Sequence, residues 1–214
     1  MKKIILSILI VAFIFAGNYS YAVENSIDHP VIDSEMILEG ALEGLSPGCP
    51  EDIQNNQILV DVLYYSVDGL IHKGQIVVDK RLVDDIKEIF EAAFKKRFPF
   101  ARVIPISKFD WDDDTSMAEN NTSGFNYREV TGGKKLSNHG FGFAIDINPL
   151  FNPYVKGEVT LPPDAVYNPS EPGTLTVDHI IIKTFLRLGW EWGGNWQSLK
   201  DYQHFEKVIG TDNN

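Results

Sequence analysis

Ile58-Leu-Val-Asp-Val-Leu-Tyr-Tyr65, followed by Val67-Asp-Gly69 and Lys73-Gly-Gln-Ile-Val-Val78, is the stretch on which the fold turns. Its outer pieces are rich in β-branched and aromatic residues and read as strands. The Val-Asp-Gly between them is a turn signal, so the segment predicts a β-hairpin. Directly afterwards, from Arg81 to Arg97, Leu82, Val83, Ile86, Ile89, Phe90, Ala93 and Phe94 recur at helical spacing. That periodicity predicts an amphipathic helix that stops before Pro99. Val103–Ile106 reads as a short strand, and a second helix is expected over about Val177–Leu188, ended by Gly189. Strands mixed with two helices predict an α+β fold, a compact single domain with a small antiparallel sheet and two main helices.

Outward from the hairpin, residues 23–56 are rich in Pro, Gly and acids, with one helix-like stretch around Glu35–Leu45. They read as an N-terminal arm, with the domain proper spanning 57–214. Ahead of the arm, Lys2 and Lys3 precede an apolar run from Ile4 to Ala16 and a small-x-small site, Ser20-Tyr21-Ala22. Residues 1–22 therefore read as a cleaved signal peptide. The apolar run is short of the roughly 20 residues that a membrane span needs. No cysteine follows it, which argues against a lipid anchor. A secreted or periplasmic protein, monomeric and without a stable membrane anchor after cleavage, is expected.

The chain has 214 residues and a formal charge of −11, and losing two lysines with the leader makes it −13. Nucleic acid is disfavoured as a partner, because neutralising phosphates needs clustered Lys and Arg. One cysteine, Cys49, provides neither a disulfide nor a thiolate metal site. Any metal would be held by nitrogen and oxygen.

Two segments carry the residues suited to that. In Ser137-Asn-His139-Gly-Phe-Gly142-Phe-Ala144-Ile-Asp146-Ile-Asn148-Pro149, the glycines permit close backbone approach and Ala144-Ile-Asp146-Ile reads as a strand. A carboxylate on so apolar a strand is costly to bury without a cation or hydrogen-bond donors. Read alone, the segment fits a metal-ligand pair and a structural aspartate with a hydrogen-bonded histidine equally well. The second segment, Asp201-Tyr-Gln-His204-Phe-Glu206, follows Trp190-Glu-Trp-Gly-Gly-Asn-Trp196. Imidazole is the commonest protein metal ligand. Three protein ligands on zinc leave a position open for water, and a further acid can serve as base.

Taken in order, these motifs resemble a known family. Ser137-x-His139-x-x-Gly142-x-Ala144-x-Asp146 is similar to the S-x-H-x-x-G-x-A-x-D pattern of zinc D-alanyl-D-alanine carboxypeptidases and L-alanyl-D-glutamate endopeptidases. That family includes VanY- and VanX-type enzymes and phage endolysins. The likeness runs over about Met117–Glu206. It implies a zinc ion held by His139, Asp146 and His204, with Asp201 as base and then acid. VanX-type members carry Glu at the last of these positions, so Asp201-x-x-His204 resembles the endolysin and VanY-like branch. Arg128 is the candidate for orienting the scissile carbonyl or a substrate carboxylate, and Ser137 for supporting the site. The implied substrate is a peptidoglycan stem peptide, cut as a D-Ala-D-Ala carboxypeptidase or an L-Ala-D-Glu endopeptidase. A non-catalytic zinc-containing module on the same fold, binding peptidoglycan or signalling, is the alternative.

Other candidates have plainer readings. His29 and His72 are expected to be exposed, and His179 to cap or support the second helix. Glu191 and Glu206 rival Asp201 as base, and strand alternation returns Glu206 to the side of His204. Asp112–Asp114 lacks the glycine and terminal glutamate of a calcium loop and reads as a solvated loop. Trp190, Trp192 and Trp196 are expected to pack in the core or wall a cleft.

Overall fold

The structure is a computed structural model that describes residues 25–130, 133–207 and 209–210. The leader expected over residues 1–22 lies outside the described residues. The N-terminal segment supplies strand β1 (Val31–Ile32) and two single-turn helices, α1 (Leu38–Ala41) and α2 (Glu51–Gln54). Strands β2 (Gln57–Ser66) and β3 (Ile71–Asp79) form the hairpin, paired antiparallel from Tyr65↔Ile71 to Gln57↔Asp79. Its turn is closed by Asp68, whose carboxylate accepts from the Leu70 amide at 2.8 Å, and by Gly69 at φ +83°.

On β2, burial alternates, and Val60, Val62 and Tyr64 enter the main core. Strand β3 is buried almost throughout because both of its faces are covered. Ile76 and Val78 face the main core, while Val77 packs with Ala41, Cys49 and Phe125 on the other side. The N-terminal segment thus covers the back of the hairpin. Ser34 and Gln75 fasten it there through a 2.7 Å hydrogen bond.

Helix α3 (Val83–Lys95) follows a 3-10 turn at Lys80–Leu82, which is capped by Asp79. Ile86, Ile89, Phe90 and Ala93 are its buried stripe, and each of the larger three contributes roughly 1.5–3 kcal/mol by leaving water. The chain turns back at Arg97 and enters β4 (Pro99–Phe100), which lies parallel to β2. The first sheet therefore runs β1-β3-β2-β4 and is mixed, with parallel strands on both edges of the hairpin.

The strand expected at Val103–Ile106 is shorter and begins earlier, as β5 (Arg102–Val103). Pro105 has no N–H for a ladder, and Ile106–Phe109 winds into a 3-10 turn instead. Helix α4 (Asp113–Ala118) and strand β6 (Asn121–Thr122), parallel to β5, come next. The acidic stretch expected as a solvated loop is thus the start of a helix, with Asp112 as its cap accepting from the Thr115 amide.

The remaining strands are β7 (Ala144–Asp146), β8 (Tyr154–Lys156) and β9 (Val159–Leu161), followed by helix α5 (Ile180–Arg187) and then β10 (Glu191–Trp192), β11 (Lys200–Asp201) and β12 (His204–Glu206). They build two antiparallel sheets, ordered β10-β12-β7 and β11-β8-β9. His179 caps α5, accepting from the Ile181 amide, and Gly189 at φ +85° follows its end. Helix α5 packs on α3, and its Phe185 stacks on Phe205 of β12 with ring centroids 3.9 Å apart. Trp190 and Trp192 belong to this core.

His29 is exposed, as expected, but His72 is not. Strand β1 pairs along that edge with Val31 opposite His72, and covers it.

Candidate metal centre

Antiparallel pairing of β12 with β7 sets His204 directly opposite Asp146, although the two are far apart in sequence. His139 enters from a 3-10 turn at Asn138–Phe141, whose cap Ser137 accepts from the His139 amide. That turn can end only at a residue like Gly142. Its φ is +75°, and a Cβ there would lie 2.4 Å from Gln57 Oε1 and 2.6 Å from the Asp79 amide nitrogen. The glycine thereby lets the histidine turn dock against the end of β3.

The three side chains converge. His139 Nε2 lies 3.2 Å from His204 Nδ1 and 3.2 Å from an Asp146 oxygen, and His204 Nδ1 lies 2.9 Å from the other Asp146 oxygen. All three residues are buried, and one donor atom from each falls within 4.8 Å of the others. Their outer atoms fix the chemistry of the inner ones. His139 Nδ1 is 2.7 Å from the Gly124 carbonyl oxygen, which can only accept, so that nitrogen carries the proton. His204 Nε2 is 3.1 Å from Glu206, which also accepts from Asn138 at 2.6 Å. In the neutral tautomers two imidazole lone pairs therefore face a carboxylate, an arrangement that calls for a cation. Outer hydrogen bonds of this kind are how proteins orient metal-binding imidazoles. The donor set, two nitrogens and a carboxylate, suits zinc.

The electrostatics agree. Burial alone would raise the Asp146 carboxyl, but His139 and His204 hold it far below the ordinary range. Burial opposes charge on His204, yet its contacts with Asp146 and Glu206 push it up to about 10. A bound divalent cation would take the place of that proton.

Asp201 reaches the same site from β11, where it pairs with Tyr154 of β8. Gly193, in the Trp-Gly-Gly-Asn-Trp segment, makes room for it, since a Cβ there would lie 2.5 Å from the Asp201 carbonyl oxygen. The Trp192 indole donates to the Tyr202 carbonyl at 2.9 Å and anchors the following residue. One Asp201 carboxylate oxygen is buried and accepts no hydrogen bond. Burial, aided by the charge of Asp146, pushes its carboxyl up to about 6. A carboxylate with one unpartnered oxygen and this affinity for a proton suits a general base.

His139, Asp146, Asp201 and His204 line one cavity of about 630 Å³. Arg128, Asp113, Ser137, Glu206 and Trp196 share its wall, as do Tyr154, Lys156, Val159 and Leu161 of the β8–β9 hairpin. Arg128 donates to Asp113 across 2.7 Å, and its buried Nε has no partner. Burial drives the Asp113 carboxyl upward, and the Arg128 charge opposes this. The structure thus brings together every site residue expected from the sequence. Glu206 is there too, but bound to His204 and Asn138. Glu191 is exposed on β10 and is not among the cavity residues. Sequence reasoning missed Asp113, hidden in a run of three aspartates. It also missed Gly124, whose carbonyl carries no side-chain signal.

Residues 131–207 match the model of a family described as D-alanyl-D-alanine carboxypeptidase. The matched stretch contains the three clustered side chains and Asp201, with Asp113 and Arg128 upstream of it. No curated protein and no solved structure matches the chain.

Proposed function

We propose that the chain is a zinc metallopeptidase of the D-alanyl-D-alanine carboxypeptidase type, which residues 131–207 resemble, and that it trims peptidoglycan stem peptides ending in D-Ala-D-Ala, with Asp201 as proton acceptor and donor. The observation that carries this reading is the free, buried Asp201 carboxylate oxygen beside three converging metal-competent side chains. His139 through Nε2, His204 through Nδ1 and the Asp146 carboxylate are the proposed zinc ligands. When bound, zinc supplies a Lewis acid that polarises a carbonyl and makes water acidic near neutral pH.

The chain's own residues supply the rest. Asp201 takes a proton from the attacking water and returns it to the leaving amine. Glu206 and the Gly124 carbonyl keep both imidazoles turned toward the centre. Arg128 contributes its guanidinium to the cavity wall, where it suits the terminal carboxylate that a carboxypeptidase must recognise. Such a substrate lies outside the cell membrane, and residues 1–22 are proposed as the export signal. Among the described residues no helix is long and apolar enough to cross a membrane.

Digestion of purified muropeptides with mass analysis, with and without chelator and zinc, tests the proposal. Loss of a terminal D-Ala is expected. An L-Ala-terminated fragment would reassign the chain to endopeptidase action, and no cleavage by zinc-loaded protein would refute the reading. Amino-terminal sequencing of protein recovered outside the cytoplasm tests export.

A further inference from the structure

Arginine recognises a carboxylate best when something fixes it beforehand, because its long side chain otherwise loses rotamer freedom on binding. Arg128 is already fixed. Its NH2 group meets Asp113 at 2.7 Å, and its NH1 group donates to the Glu129 carbonyl at 3.3 Å. Its backbone is tied to the histidine motif, with the Arg128 carbonyl accepting from the Ser137 amide at 3.0 Å.

Asp113 is held in turn. The neighbouring Asp112 caps α4 and so sets where Asp113 begins the helix. Asn126 donates to Asp113 at 3.3 Å, while the Asn126 amide donates to the His139 carbonyl at 3.0 Å. On the same helix, Met117 meets the Gln203 amide next to His204. A mostly buried carboxylate is expensive to keep unless it does something for its partner. Here it pins the guanidinium through NH2, while the buried Nε has no protein acceptor.

We propose that Asp113 is the positioning residue of the substrate-facing arginine: it holds the Arg128 guanidinium against the cavity wall in the orientation in which its accessible edge meets the substrate. The inference rests on the reading of Arg128 under Proposed function. Asp113 touches no reacting atom and acts only through Arg128.

The test is a mutant cycle on the zinc-loaded full chain, with muropeptide hydrolysis, zinc content, thermal midpoint and the Arg128 Nε–H resonance as readouts. Asp113→Ala should lower kcat/KM by about 10- to 100-fold, as expected for a misplaced orienting group, with zinc bound one to one. Arg128→Ala should cost at least as much. The double variant should be no worse than Arg128→Ala, because residues acting as a unit are non-additive. A slowly exchanging Nε–H resonance, identified by its loss in Arg128→Lys, should shift or broaden in Asp113→Ala.

Unchanged hydrolysis in Asp113→Ala, or a double variant that loses both factors multiplied together, overturns the proposal. Should Asp113→Ala fail to fold, the isosteric Asp113→Asn carries the same measurements with a smaller loss, about 3- to 10-fold. If the parent protein cleaves nothing, the peptidase reading fails. The resonance then decides alone, and one that ignores both Asp113 substitutions overturns the assignment.

Discussion

Among the described residues, two clusters join histidine and acid, and they differ in which way the histidines face. At the edge of the first sheet, His72 lies between two carboxylates, Asp33 at 2.8 Å from Nδ1 and Asp68 at 3.0 Å from Nε2. Tyr64 donates its hydroxyl to Asp33. Each ring nitrogen meets an acid of its own, so the cluster closes on itself with no ring nitrogen left over. Around Asp146 the outer nitrogens of His139 and His204 are spent on the Gly124 carbonyl and Glu206, and the inner ones face a third acceptor. Composition does not separate the two clusters. What separates them is convergence: two imidazole nitrogens meet at one carboxylate around Asp146, whereas the other cluster holds a single imidazole.

The largest effect should come from breaking the convergent cluster. Asp146→Ala or His139→Ala should abolish zinc binding, measured by metal analysis after dialysis, and hydrolysis with it. A variant that keeps one zinc per chain would place the metal elsewhere. Next, Asp201→Ala should retain zinc and lose about 10²- to 10⁴-fold in kcat, the usual contribution of a general acid–base residue. In the parent, kcat/KM should rise with pH as Asp201 ionises. The midpoint should lie at or below about 6, since burial lifts the carboxyl to about 6 and a cation at the cluster favours the ionised form.

The same shift has a stability consequence of opposite value. The native carboxyl holds its proton to a higher pH than the unfolded one does, so stability falls as pH climbs from about 4 to about 6. Zinc-free Asp201→Asn should therefore melt a few degrees above the parent at neutral pH and show no gain near pH 4. A lower midpoint at neutral pH would mean that the carboxylate is satisfied in a way its orphaned oxygen does not suggest.

How much of this was legible beforehand depended on the range of the interactions. The hairpin and both helices follow local periodicity, and Ile86, Ile89, Phe90 and Ala93 occupy the buried stripe that their spacing implies. His139 and Asp146 stood out because a polar pair in an apolar, glycine-marked segment is locally odd. His72 was misjudged because its cover, β1, comes from a distant segment with no periodicity of its own. Asp113 was unreadable for a related reason: three consecutive aspartates are locally equivalent. Only the helix start at Asp112 and the position of Arg128 distinguish the one that turns inward.

A smaller effect sharpens the comparison from the side of orientation. Glu206→Gln keeps an acceptor for His204 Nε2 but removes the charge, and should weaken zinc binding by about 10- to 100-fold, as outer-shell changes do. Competition with a chromogenic chelator measures it. Unchanged affinity would mean that the strand pairing with Asp146 suffices to aim the ring.

The smallest effect belongs to the self-contained cluster and should appear in stability alone. His72→Ala removes the donor from Asp33 and Asp68. Asp68 is largely exposed and can turn to water, so only the loss at Asp33, which keeps Tyr64, is felt. About 1–2 kcal/mol of unfolding free energy should disappear, within the usual range for a buried hydrogen-bond partner. Zinc content and kcat/KM should match the parent, because no atom of this cluster lines the cavity. If His72→Ala lost zinc instead, the two clusters would be coupled through the hairpin. Gly142, wedged against Asp79 at the far end of β3, is the contact through which that coupling would have to run.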